Sequence, residues 1–264
     1  MYGFLYIVTG CDHMRVSFCS QDSVRLTGET GRCRDFSRTA SVIRYRPETI
    51  TGTEMAGDPV HRSLPWSIAM VFALSTERLA LEDLNDSDLD AVRRMARDPA
   101  IMKYVWIWLE NEDQITGFVR HAIEEATRPD RQGYILAARI PGTGDFAGFA
   151  LLEIDPGQPT TAEVGCILRP EYWKNGYASE ILRALLAFGF TTLGLHRVYG
   201  KCDDLNTASA HALEKGGLVY EGTLREHVWL RDHWRSTRYY GMLAGEYAAR
   251  NNGGAPHPGQ KSKR

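Results

Sequence analysis

Val164-Gly165-Cys166-Ile167-Leu168-Arg169-Pro170-Glu171-Tyr172-Trp173-Lys174-Asn175-Gly176-Tyr177-Ala178-Ser179-Glu180 reads without a break as strand, tight turn and helix. Gly176 lets the backbone pass close to a ligand, and small Ala178 and Ser179 follow. The N–H groups that open the next helix have no partners within it. Those free donors, with the positive end of the helix dipole, suit a pyrophosphate.

Working outward, the chain continues with Gly194-Leu195-His196-Arg197-Val198, Asp204-Leu205-Asn206-Thr207-Ala208-Ser209, Leu213-Glu214-Lys215-Gly216-Gly217-Leu218 and Glu221-Gly222-Thr223-Leu224-Arg225. Upstream stand Thr76-Glu77-Arg78-Leu79-Ala80-Leu81 and Asp98-Pro99-Ala100-Ile101-Met102. In order and spacing this series resembles the GNAT superfamily of acetyl-CoA-dependent N-acetyltransferases, and within it the RimJ/RimL-like branch. The resemblance spans about residues 75–248. It implies an α/β (α+β) fold: a mixed, mostly antiparallel sheet flanked by helices on both faces.

The chain has 264 residues, of which 43% are hydrophobic, ample for a core. A formal charge of -2 and a pI near 6.5 argue against nucleic-acid binding through a basic surface. Only six of the 31 basic residues are Lys, and none precedes Lys103, which points to the codon bias of a GC-rich, bacterial genome. Cysteines at 11, 19, 33, 166 and 202 form neither a metal-like nor a CxxC spacing, so no metal is expected. Their odd number disfavours a complete disulfide framework and fits a reducing cytoplasm. Phe4 to Cys11 superficially resembles a lipoprotein cleavage site, but it lacks a basic start and its apolar run is short. No run approaches the roughly 20 apolar residues of a membrane helix. The resemblance implies acetyl-CoA and an amine acceptor as partners; composition argues against nucleic acid and membrane, and a monomer or homodimer is expected.

Residues 1–70 show no sustained period and are expected to form a poorly ordered extension, with a docking segment or an over-long reading frame as alternatives. The acetyltransferase domain is expected over 71–248 and a disordered tail over 249–264, where Gly, Pro and Lys concentrate. Thr76 to Leu81 alternates as a strand. Asp86 or Ser87 is expected to cap a helix with Leu89, Val92, Met95 and Ala96 on one face, ended by Pro99. Asp113 to Ala126 has a helical stripe of Ile115, Phe118, Val119, Ala122 and Ile123, stopped by Pro129. Strands follow at Gly133 to Ile140 and Phe146 to Ile154, joined by the turn at Pro141 to Asp145, and at Thr161 to Leu168. A helix over Gly176 to Leu193, a strand over His196 to Cys202, a helix over Asn206 to Lys215 and an antiparallel pair, Leu218 to Leu230 with His233 to Leu243, complete the domain.

The resemblance assigns the cosubstrate cradle to Trp173, Lys174, Asn175, Gly176, Tyr177, Ala178 and Ser179. It makes Cys166, Ile167, Leu168 and Arg169 the strand edge that pairs with the pantetheine arm, one backbone N–H facing the thioester oxygen. Cys166 itself reads as a small core residue, with nothing nearby to lower its thiol pKa. Asn206 and Ser209 match the branch's Asn-x-x-Ser: the amide would bond the pantetheine region and the hydroxyl would lie near the sulfur. Helix capping by Asn206, with Ser209 as a filler, is the plainer alternative. Many superfamily members carry a Tyr acid where Leu213 stands here, which makes Ser209 or a water the proton source. Glu163 is the candidate base, acting through water, or else a solvated strand end; Glu153 and His196 are weaker candidates.

Two departures stand out. Gly216-Gly217-Leu218 replaces the usual Leu-Gly-Phe, removing a large anchor beneath the last helix, and Ser236 takes the place of a common Asp. They put the substrate pocket, and with it acceptor activity, in question. The acceptor is expected between the first two helices and the closing hairpin, walled by Tyr104, Trp106 and Trp108, with Glu110, Glu112 and Asp113 near. Aromatics with acids suit a cationic amine, though the same aromatics at alternate positions also suit one face of a core strand. The competing class is a catalytically silent acetyl-CoA-binding module.

Overall fold

The computed structural model describes residues 14–19, 23–28, 72–105 and 109–251, and divides into units 1–72 and 73–264. In the first unit β1 (Met14–Cys19) and β2 (Ser23–Gly28) pair antiparallel, Met14 opposite Gly28 and Cys19 opposite Ser23. The rest of the expected extension, including Cys11 and Cys33, lies outside the described residues, as do Trp106, Trp108 and the tail beyond 251.

The second unit begins with β3 (Ala73–Ser75) and β4 (Ala80–Asp83), antiparallel neighbours. The expected strand over Thr76 to Leu81 is corrected to a tight turn followed by a strand, because the Thr76 N–H donates to the Leu79 carbonyl at 2.9 Å. Asn85, rather than Asp86 or Ser87, caps the next segment through a capping box with Asp88 around one 3-10 turn. Then come α1 (Leu89–Ala96) and α2 (Pro99–Met102). Pro99 opens α2 as well as following α1, since Asp98 accepts from the Ala100 N–H and proline needs no donor at the first helical position. Asn111 and Gln114 form a second capping box ahead of α3 (Glu112–Ala126), whose Ile115, Val119 and Ala122 are buried as expected.

β5 (Gly133–Arg139), β6 (Phe146–Asp155) and β7 (Gln158–Leu168) form an antiparallel meander. After it come α4 (Tyr177–Thr191), β8 (Arg197–Asp203), α5 (Thr207–Gly216), β9 (Val219–Leu230), β10 (His233–Leu243) and α6 (Ala244–Asn251). Helix α6 was not anticipated and runs past the expected boundary at 248. The eight strands are ordered β3-β4-β5-β6-β7-β8-β10-β9, and every neighbouring pair is antiparallel except β7 with β8.

Alternating side chains give the sheet two apolar faces. On one, Phe149 and Ala137 pack with Val92, Met95, Ile115 and Val119 of α1 and α3. On the other, Leu152 and Val198 lie beneath Gly189 of α4, where an added Cβ would stand 3.3 Å from Val198. The absent anchor at Gly216 has a physical account: a Cβ there would sit 2.8 Å from Leu182 Cβ, so α4 fills the space and α5 closes directly onto it.

Candidate acetyl-CoA site

The parallel pairing of β7 with β8 is three residues long: Thr161 with Arg197, Ala162 with Val198, Glu163 with Tyr199. Beyond Glu163 the strands part, while β7 remains paired with β6 up to Leu168 opposite Gly148. Arg169 N–H donates to the Ala147 carbonyl at 2.9 Å, so odd-numbered residues at this end of β7 turn their backbone groups to β6. Val164, Cys166 and Leu168 therefore turn theirs into the gap. Two glycines hold this opening. At Gly148 (φ +150°) a side chain would overlap the Ile167 carbonyl and stand 2.8 Å from Leu168 Cα. At Gly200 it would meet Leu213 Cδ2 at 2.5 Å and the Val164 oxygen at 3.1 Å. Leu213, buried, thus wedges the apex of the gap in the place where a Tyr acid would stand.

At its open end β7 runs through a 3-10 turn, Pro170–Tyr172, into the loop before α4. The Trp173 indole donates to the Leu168 carbonyl at 2.7 Å, so this residue braces the loop against the strand end. Lys174 (φ +61°) and Gly176 (φ +81°) are both left-handed, and Gly176 is the N-cap of α4 without any side-chain cap bond. A left-handed Lys is held against about 1 kcal/mol of strain. Among the described residues no side-chain bond to the N–H groups of the first turn is found, and Ala178 and Ser179 keep that end small. Arg169 turns away: its guanidinium donates to the Phe146 carbonyl and to Glu171.

Sequence reasoning missed the clamp behind this loop. Glu180, 7% exposed, accepts from the Thr76 hydroxyl at 2.5 Å, from Arg78 N–H at 2.8 Å and from Arg78 Nε at 2.8 Å. Arg78 Nη1 donates to the Asn175 carbonyl at 2.9 Å. Burial pushes the Glu180 carboxyl up, but these donors outweigh it and hold the group below the usual carboxylate range. The signal was present in Thr76-Glu77-Arg78, yet its partner lies about a hundred residues away.

On the β8 side, Asn206 Oδ1 accepts from Ser209 N–H at 3.1 Å and caps α5. Burial pushes the Cys202 thiol up and neighbouring Ser209 draws it partly back, to about 11. Burial likewise raises the Cys166 thiol to about 12, consistent with a packing role. Glu163 is ion-paired with Lys201 Nζ at 2.8 Å and receives the Tyr199 hydroxyl at 3.4 Å. Burial, then the Glu163 charge, lifts the Tyr199 phenol to about 12. Glu153 stands opposite Glu163 on β6, exposed, and His196 is an exposed residue whose backbone ties to Thr160 and Ala244.

The same sheet face carries a buried pair that sequence reasoning did not single out. Arg235 Nη2 lies 2.5 Å from Asp203 Oδ2, at 7% and 1% exposure, with Tyr104 below the guanidinium at 5.7 Å. Ser236 Oγ accepts from the Glu226 N–H, and its carbonyl accepts from Asp204 N–H. Between α1, α3 and the β9–β10 turn lies a groove of about 390 Å³ lined by Arg97, Met102, Glu110, Asn111, Glu112 and Arg231. Glu112 there is taken up by Arg93 and Arg97, and the Arg93 bonds hold its carboxyl low.

A strand pair that opens beside a glycine-capped helix brings outward backbone groups and an anion-suited helix terminus to one end of the sheet. Residues 78–219 match the family model for the acetyltransferase (GNAT) domain, more than half of the chain, and the chain belongs to this family. The family acetylates amines with acetyl-CoA. "Uncharacterized N-acetyltransferase YnaD" of Bacillus subtilis is 26% identical over 174 residues, 66% of this chain and 98% of that one. Spermidine N(1)-acetyltransferase of Escherichia coli K12 is 26% identical over 179 residues, covering 66% and 91%. Among solved structures, an acetyltransferase (GNAT family) from Bacillus anthracis aligns with a TM-score of 0.58 at 27% identity, over 66% of this chain and all of that one. Spermidine N-acetyltransferase from Vibrio cholerae, in complex with CoA and spermine, shares the fold, with a TM-score of 0.56 at 24% identity over 65% and 98%.

Proposed function

We propose that this chain transfers acetyl from acetyl-CoA to a primary amine by direct attack on the thioester, as a RimJ/RimL-like enzyme of the cytoplasm. The observation that carries the reading is the end of β7–β8 pairing at Glu163 and Tyr199, with an outward strand edge leading to the Gly176 cap of α4. The donor set fits the cosubstrate. The backbone of Cys166 and the N–H of Leu168, both turned from β6, suit an amide-bearing arm, and the α4 terminus suits a pyrophosphate.

Bound acetyl-CoA supplies an activated acetyl group and a thiolate leaving group. The backbone N–H of Cys166 or Leu168 would face the thioester oxygen and stabilise charge gathering there. With its oxygen committed to the α5 cap, Asn206 keeps its amide nitrogen as a donor for the pantetheine arm. Ser209 would pass a proton to the departing sulfur while regaining one from water, so that the thiolate leaves as a thiol. Glu163 would take the amine proton through water, with Lys201 and Tyr199 fixing its orientation. No observation favours binding without turnover.

The test is thiol release by the purified protein with acetyl-CoA against a panel of amines: polyamines, peptide N-termini, aminoglycosides and amino sugars. The acetyltransferases for spermidine among the relatives put polyamines first. Release that depends on one amine class is the expected result. Tight acetyl-CoA binding with no release above hydrolysis for any class would sink the enzyme reading.

A further inference from the structure

The geometry points to Arg78 as a cationic wall of the pyrophosphate cradle, with Glu180 and Thr76 as the positioning residues that aim it; this rests on the cosubstrate reading above. Arg78 lies in the turn between β3 and β4 and reaches across to the first turn of α4. Its Nε and Nη2 both meet Glu180 Oε2, at 2.8 and 2.7 Å, and Nη1 meets the Asn175 carbonyl at 2.9 Å. The Tyr177 ring stacks on the guanidinium, with 4.5 Å from Cζ to the centroid. Of the five N–H donors of an arginine, these bonds use that of Nε and one of Nη1, while Nη2 meets Glu180 as an ion pair, which leaves N–H groups on both terminal nitrogens. The side chain is 42% exposed, so those donors are accessible. Nη2 stands 3.4 Å from the position of a Cβ on Gly176, at the rim of the loop where the anion is to lie.

Charge explains why the clamp is needed. A buried carboxylate in the first turn of α4 suits the helix dipole, but it repels a second anion bound at the same terminus. Arg78 cancels that carboxylate. It also fixes the Asn175 carbonyl, which keeps the peptide between the two left-handed residues Lys174 and Gly176 from turning its oxygen toward the phosphates. Thr76 completes the device by holding the other carboxylate oxygen, so Glu180 cannot swing into the cradle.

The experiment compares coenzyme A binding by calorimetry for wild type, Arg78→Gln, Arg78→Lys, Glu180→Gln and Arg78→Gln/Glu180→Gln. It adds kcat/KM with acetyl-CoA against S-acetylpantetheine, which carries no phosphate. Arg78→Gln is expected to weaken coenzyme A binding about 10- to 100-fold, the scale of charge-assisted bonds, and to lower the acetyl-CoA over acetylpantetheine ratio at least about tenfold. Adding Glu180→Gln is expected to recover about threefold or more of the binding, because the uncancelled carboxylate is gone. Unchanged coenzyme A affinity in Arg78→Gln, equal losses on both donors, or a double variant no better than the single would each overturn the proposal. If Arg78→Gln does not fold, Arg78→Lys decides: a loss confined to the phosphate-bearing donor supports it, and a loss shared by both donors overturns it. Wild-type protein that does not bind coenzyme A overturns the cosubstrate reading itself, a result distinct from failure of Arg78 alone.

Discussion

The two banks of the gap between β7 and β8 are built differently. On the β7 bank, position is set by backbone and enforced several times over: Gly148 admits Ile167 and Leu168, Trp173 ties the loop to Leu168, and Arg78 with Glu180 pins Asn175. On the β8 bank, the groups that would move protons have other attachments. Ser209 neighbours the buried Cys202 thiol, Glu163 is paired with Lys201, and Leu213 fills the apex with hydrocarbon. The lesson is that binding depends on shapes no substitute can supply, whereas proton transfer can be shared with water. Damage to the first bank should therefore cost far more.

Gly148→Val gives the largest effect expected. Its Cβ would overlap β7 backbone, which cannot give way as a flexible side chain can, so a loss of about 3 kcal/mol or an insoluble protein is expected in denaturant titration. Wild-type stability would show that the two strands have slack. Gly176→Glu comes next, combining strain at φ +81° with a negative charge at the helix terminus. A folded variant should lose acetyl-CoA binding by about 100-fold or more in calorimetry, and retained affinity would break the cradle assignment.

Ser209→Ala tests the other bank. Turnover should fall about 10- to 100-fold with acetyl-CoA affinity nearly kept, the range of one general acid. A kinetically silent change would make water the acid and sharpen the contrast between the banks. Glu163→Gln should cost about tenfold at low pH, where the amine is still protonated, and less as pH rises. A constant fractional loss across the pH range would make Glu163 positional.

The smallest effect concerns stability. Glu180 has a folded pKa below its unfolded value, so its contribution is complete above the unfolded pKa and is lost as pH falls through the folded one. The melting-temperature gap between wild type and Glu180→Gln should be widest at neutral pH and close toward strong acid. A gap that persists there would mean that lost packing, not lost charge, separates the two proteins.

The run from Val164 to Glu180 and the later Asn206 and Ser209 made the strand-turn-helix unit and the family legible, because a glycine at a helix start and the periods of the flanking elements are local properties. Strand β7, helices α3, α4 and α5 and the closing hairpin stand within a few residues of where the pattern put them. The errors were local too. Thr76 to Leu79 alternates like a strand but closes as a turn, and Asn85 rather than Asp86 or Ser87 caps the segment before α1.

What the amino-acid order determined was therefore the set of elements, their sequence along the chain, and a glycine-led break before α4. Tertiary structure decided where the parallel pair stops, that Leu213 packs against Gly200 at its apex, and that Thr76 and Arg78 meet Glu180. The reason is physical. A capping residue or an apolar period acts within a few residues and is written in them, whereas a buried carboxylate finds its cation only after eight strands have brought distant loops together.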